Sequence, residues 1–123
     1  MCHTVTIATD TVTALRRLAR EYASTTRDGH WLTDINWSSV PVIMEELPKD
    51  VCGKYSFGKI YLMPCAEATA IFSTYIHELR HCWQWKKKPV FYLVGKIIRP
   101  LIEDDAVCQE EAASNWIQSR RQS

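Results

Sequence analysis

The pattern His77-Glu78-Leu79-Arg80-His81 constrains this chain more than any other feature, because it sits inside a run that is both helical in spacing and apolar in composition. Ile71, Phe72, Tyr75, Ile76, Leu79, Cys82 and Trp83 cover a wide arc of one helix, expected to begin near Cys65 or Ala66 and continue to about Lys87. Lys86, Lys87 and Lys88 suit the negative end of its dipole, and Pro89 stops it. Residues four apart project from one face one turn apart, so both imidazoles can reach a single point. Two imidazoles and a carboxylate in so apolar a helix need partners, since buried polar groups are costly when unpaired. One metal ion held by His77 and His81, flanked by Glu78 as a base, meets that need.

The rest of the chain supplies elements to cover such a helix. Asp10 is placed to cap a helix over Thr11 to Ala23, where Val12, Leu15, Leu18, Ala19 and Tyr22 mark one stripe and Arg16, Arg17 and Arg20 lie mostly outside it. Residues 4 to 8 suggest a short strand or an ordered lead-in, Ser24 to His30 a loop, and Trp31 to Trp37 no definite element. Val42 to Leu47 is compatible with a strand. Val51 to Phe57 and Lys59 to Met63, separated by Gly58, form a natural hairpin that completes a three-stranded sheet just before the motif helix. Val90 to Ile98 recurs at helical spacing. The whole apolar run from Val90 to Ile102, broken by Lys96, Arg99 and Pro100, falls short of the ~20 residues that span a bilayer and is expected in the core. A last helix runs from about Leu101 to Arg120, with Glu103, Asp104 and Asp105 in its first turn and Ile102, Ala106, Ala113, Trp116 and Ile117 on its packing face. The fold class is α+β, one domain over residues 1 to 123: a packing helix, a small sheet, a central motif helix and a C-terminal helix.

Charge and cysteine usage narrow the partners. Fifteen basic and fourteen acidic residues leave a net charge of +1, so no global field attracts nucleic acid or an anionic membrane, and a protein or peptide is the expected partner. Lys86-Lys87-Lys88 is the one compact basic patch, explained by its place at a helix end. Met1-Cys2-His3-Thr4 lacks the basic start of a secretory signal. Cys2, Cys52, Cys65, Cys82 and Cys108 are odd in number and scattered, which suits reduced thiols and a cytoplasmic setting.

A catalytic zinc takes three protein ligands and keeps one position open. His3 and His30 lie far upstream and no histidine follows His81, so the third ligand is sought among Glu103, Asp104, Asp105, Glu110 and Glu111. Glu103 is preferred, because the twenty-two positions after His81 let the chain turn back on the motif helix. Asp105 is next, while Glu110 and Glu111, two turns further on, are expected to face solvent.

His77-Glu78-Leu79-Arg80-His81-Cys82-Trp83-Gln84, a connector holding Phe91-Tyr92-Leu93, and Pro100-Leu101-Ile102-Glu103-Asp104-Asp105-Ala106 together resemble a small gluzincin-type zinc metallopeptidase of the zincin group. In that family an HExxH helix is followed by a helix bearing a glutamate ligand in a Glu-x-x-Ala setting. The resemblance covers residues 51 to 113, specific in its two motifs and loose between them; residues 1 to 40 resemble no family. It implies a zincin-like fold, Zn2+ as cofactor, His77, His81 and Glu103 as ligands, and Glu78 as general base in peptide hydrolysis. This chain departs from the pattern at Val107, where many relatives carry an aspartate that supports a ligand histidine; Asp104 and Asp105 are the nearby alternatives.

Substrate would lie extended along an edge strand drawn from Val51 to Met63, with Tyr92, Arg99 or Arg120 as possible donors to an oxyanion. Two rival readings accompany this one. A non-catalytic zinc-containing module that binds peptides suits the small size of the chain, and the intact Glu78 speaks against it. A protease of DNA-bound proteins, as in SprT-like zincins, is disfavoured by the near-neutral charge.

Overall fold

The computed structural model describes the backbone of residues 2–64 and 68–122, and the side chains of 11–64 and 69–120. Helix α1 spans Cys2–Thr25. The lead-in over residues 4 to 8 is therefore helical, and Asp10 lies inside the helix, not at its cap. The reason is visible in the spacing: Val5, Ala8, Val12, Leu15, Ala19 and Tyr22 alternate by three and four, a helical period that runs unbroken through Asp10 and overrides the weak strand preference of Val and Thr. Leu15, Ala19, Tyr22 and Ala23 are buried. Two 3-10 turns follow, His30–Asp34 and Trp37–Ser39, each burying one apolar residue, Leu32 and Trp37.

Three short strands come next: β1 (Val42–Met44), β2 (Gly53–Ser56) and β3 (Lys59–Leu62). The sheet order is β1-β3-β2, with β1 parallel and β2 antiparallel to β3. β1 stops at Met44, short of the expected Leu47, because β3 offers only four residues and the last rung is the Glu45 N–H donating to Leu62 O. β2 and β3 join through Phe57 and Gly58, both at positive φ (52° and 76°), the geometry of a tight hairpin turn that matches strand twist. On β3, Ile60 and Leu62 turn to the core.

The motif helix α2 spans Ala68–Lys87; the proposed start at Cys65 or Ala66 lies outside the described residues. Phe72, Tyr75, Ile76 and Leu79 are wholly buried, and join α1, the 3-10 turns, β3 and the C-terminal helix in one apolar cluster. Each such side chain contributes roughly 1.5–3 kcal/mol by leaving water, which makes α2 the axis of the fold. Helix α3 (Pro89–Ile97) and helix α4 (Arg99–Gln122) complete it. Pro100 occupies the first turn of α4, where its missing N–H costs nothing. Gly95 presses on Ile102, and a Cβ there would lie 2.2 Å from Ile102 Cγ2, so the glycine lets α3 fold back tightly on α4.

Among the described residues, four α-helices with a small mixed sheet make an α+β fold. The run from Val90 to Ile102 departs from its expected place in the core. Tyr92, Gly95 and Ile102 are buried, but Val90, Leu93, Val94, Ile97, Ile98 and Leu101 are exposed, because a nine-residue helix packed on one side cannot hide apolar residues placed all round it. Among the described residues, no helix is long and apolar enough to cross a membrane.

Candidate metal centre

α2 presents His77 and His81 one turn apart, and the fifth residue of α4, Glu103, reaches back between them. Glu103 Oε2 lies 3.1 Å from His77 Nε2, and Oε1 lies 3.1 Å from His81 Nε2. One ligand atom from each of the three lies within 4.8 Å of the others. The structure thus brings together the three side chains singled out as ligands. A tetrahedral zinc with bonds of about 2.0–2.2 Å sets its ligand atoms roughly 3.3–3.6 Å apart, a spacing that falls inside this 4.8 Å limit.

The outer nitrogens decide how the rings are protonated. His77 Nδ1–H donates to Glu110 Oε1 at 2.6 Å. The Gln84 amide donates to Ile102 O at 3.0 Å and to Asp105 Oδ2 at 2.8 Å, which commits its NH2 group and leaves Oε1, 2.9 Å from His81 Nδ1, as the acceptor. Both rings therefore carry their proton on Nδ1. Both Nε2 atoms face carboxylate oxygens of Glu103 at 3.1 Å, contacts that either a proton on the ring or a cation between the groups satisfies.

Comparison with protein-family models, curated proteins and solved structures found no match.

Asp105, the second choice as ligand, turns away from the imidazoles. It accepts from Arg80 Nε at 2.7 Å and Nη2 at 3.1 Å, and holds Gln84 in place. The Arg80 guanidinium lies 3.8 Å from the Trp83 ring centroid and 5.0 Å from that of Trp31. Glu110 corrects another expectation: it supports His77 instead of facing solvent, whereas Glu111 is exposed. The support missing at Val107 is thus supplied one turn later. The signal was present, since residues seven apart share a helix face and Glu110 follows Glu103 by seven. Gln84, three positions after His81, carries no comparable signal, because an amide in an apolar helix announces no metal chemistry.

Burial and neighbouring charges tune the cluster in opposite directions. For His77, burial favours the neutral ring, but the hydrogen bond to Glu110 and the charges of Glu78, Glu110 and Glu103 outweigh it and raise the pKa. Burial dominates at His81 and lowers its pKa despite Gln84 and Glu103, so a proton on its Nε2 is disfavoured. Glu78, only 6% exposed, is pushed up to about 7 by burial, against the pull of His77. Burial would raise Asp105 too, yet the hydrogen bonds from Arg80 and Gln84 hold it below the usual carboxylate range.

The cluster opens into a cleft of about 520 Å³. Asp50 to Tyr55 form one wall, Thr74, His77, Glu78 and His81 the floor, and Tyr92, Lys96, Arg99 and Ile102 the other wall. Of the three suggested oxyanion donors, Tyr92 and Arg99 line this cleft. Arg120 pairs instead with Glu21 and lies over the Trp116 ring.

Proposed function

We propose that this chain is a zinc-dependent peptidase of zincin-like, gluzincin-type architecture, with His77, His81 and Glu103 as the ligands and Glu78 as the general base. The observation that carries the reading is the convergence of two Nε2 atoms on one carboxylate, with the Nδ1 of each ring held by a side-chain oxygen, Glu110 Oε1 or Gln84 Oε1. A zinc ion bound there would supply Lewis acidity, polarising a substrate carbonyl and acidifying water.

Glu78 borders the cleft with a proton affinity near neutrality, so it can take a proton from water and return it to a departing amine. β2 supports a peptide substrate. It pairs only with β3, and in that register Cys52, Lys54 and Ser56 direct their backbone groups toward β3, leaving those of Gly53 and Tyr55 on the free edge. An extended peptide can pair with that edge as an added strand beside the histidines. Arg99 and Tyr92 stand on the opposite wall to meet a developing oxyanion.

Zinc content and peptide cleavage, measured on the wild type and Glu78→Gln, test the reading. One zinc per chain in both is expected, with cleavage slower by roughly 10²–10⁴-fold in the variant. Equal cleavage by both, or no zinc bound by the wild type, would overturn it.

A further inference from the structure

The outward side of α3 has no part in the proposed peptidase site. Four of its nine residues, Val90, Leu93, Val94 and Ile97, are apolar and exposed, Val90 by 73% and Ile97 by 86%. Ile98 and Leu101 extend the strip past the junction with α4. Tyr92 and Gly95 on the opposite side are buried, so α3 is apolar all round yet packed on one side only. A helix of that composition is stable in water only when its second side is also covered.

The charge around the strip indicates what covers it. From Leu79 to Ile102 the chain has no aspartate or glutamate, and it carries Arg80, Lys86, Lys87, Lys88, Lys96 and Arg99. Arg80 is committed to Asp105, but among the described residues none of the other five forms an ion pair, and all five are exposed. Three of them, Lys86, Lys87 and Lys88, stand just before α3 at one end of the strip, while Lys96 and Arg99 line the cleft on the other side of the helix. Trp85, 43% exposed, lies beside the first group. The net charge of +1 conceals this segregation, since every acidic residue lies outside the segment.

We infer that the outward face of α3 docks on an anionic lipid bilayer surface, lying in the plane of the interface. A bilayer offers both required environments at the right depths: acyl chains for Val90, Leu93, Val94 and Ile97, and acidic headgroups for the lysines, whose long stems reach outward past an apolar face. A tryptophan at the boundary fits the same gradient. Neither part suffices alone, because one short apolar strip binds weakly and a basic cluster is screened by salt; together they give two additive signals. A protein partner would need an acidic rim around an apolar groove, which nothing on this surface specifies.

The inference goes beyond the peptidase reading and does not depend on it, since the test uses neither metal nor turnover. The full chain is sedimented with vesicles of phosphatidylcholine alone and of phosphatidylcholine with phosphatidylglycerol. Binding to the second kind only is expected, weakening as salt is raised. Changing Lys86, Lys87 and Lys88 together to Gln should weaken it on the order of a hundredfold. The double variant Leu93→Ser, Ile97→Ser should lose binding while its circular dichroism stays that of the wild type, because both positions are exposed. Absence of binding to phosphatidylglycerol vesicles overturns the inference, as does binding that the double variant retains. A dimer that the double variant abolishes, without vesicle binding, assigns the face to a second copy of the chain and overturns it too.

Discussion

Glu110 accepts the Nδ1 proton of His77 at 2.6 Å, seven residues after Glu103 approaches Nε2 of the same ring at 3.1 Å. One face of α4 therefore holds both edges of a single imidazole. The ring cannot rotate without losing one carboxylate.

Glu110→Ala is expected to weaken zinc binding by roughly 10–100-fold, and Glu110→Gln by less, because an amide oxygen still accepts from Nδ1. Chelator competition on variants with wild-type circular dichroism measures this. Unchanged affinity in the alanine variant would show that His77 is oriented by packing alone.

Arg80→Lys keeps the charge but loses the two-pronged grip on Asp105 and the flat contact with Trp83. A loss of about 1–3 kcal/mol is expected in urea denaturation. A lysine variant as stable as the wild type would mean that charge, not planar geometry, is what Asp105 requires.

Much of this centre was legible in the sequence, and the part that was not shares one cause. His77, His81 and Glu103 announce themselves because their types and spacing have few other uses. Glu110 and Gln84 do not, since glutamate on a helix is usually solvated and the meaning of each depends on the tilt of α4 across α2. The same limit applies to Val90–Ile102. Apolar content predicts that a segment will be covered, but not by what, and only packing shows that α3 has one side in the fold and one side out. At the N-terminus the signal was local, and the stripe of threes and fours running back to Val5 outweighed the β-branched residues between Thr4 and Ala8.

Phe57 occupies the first turn position at φ 52° with its ring 99% exposed, so it holds a conformation unfavourable to an aromatic residue and contributes no packing in return. Phe57→Asn should stabilise the chain by roughly 1 kcal/mol, since asparagine accepts this region readily. A rise in the thermal midpoint checks it; a fall would show that the ring makes a contact worth more than the strain.

Burial pushes the phenols of Tyr22 and Tyr75 up to about 12, aided at Tyr22 by Asp28 and opposed at Tyr75 by Arg16, and burial also raises Tyr55. A folded pKa above the unfolded value of 10.0 means that the folded state holds the proton more tightly. The contribution is complete below pH 10 and disappears as pH rises towards 12. Tyrosinate absorbance should therefore show three of the five tyrosines ionising only together with loss of helical circular dichroism. Smooth titration of all five before unfolding would contradict this.

The three histidine and glutamate donors sit on two helices, and no strand contributes one. The backbone edge that could recognise a peptide belongs wholly to β2, whose link to β3 is a two-residue turn. In the proposed function, holding an ion and selecting a peptide would thus fall to separately encoded pieces of chain. In the proposed peptidase the exposed Lys54 of β2 could be exchanged to change what is recognised without touching the three donors. Ile60 and Leu62 of the same hairpin, by contrast, are buried in the cluster that holds α2 and belong to the framework.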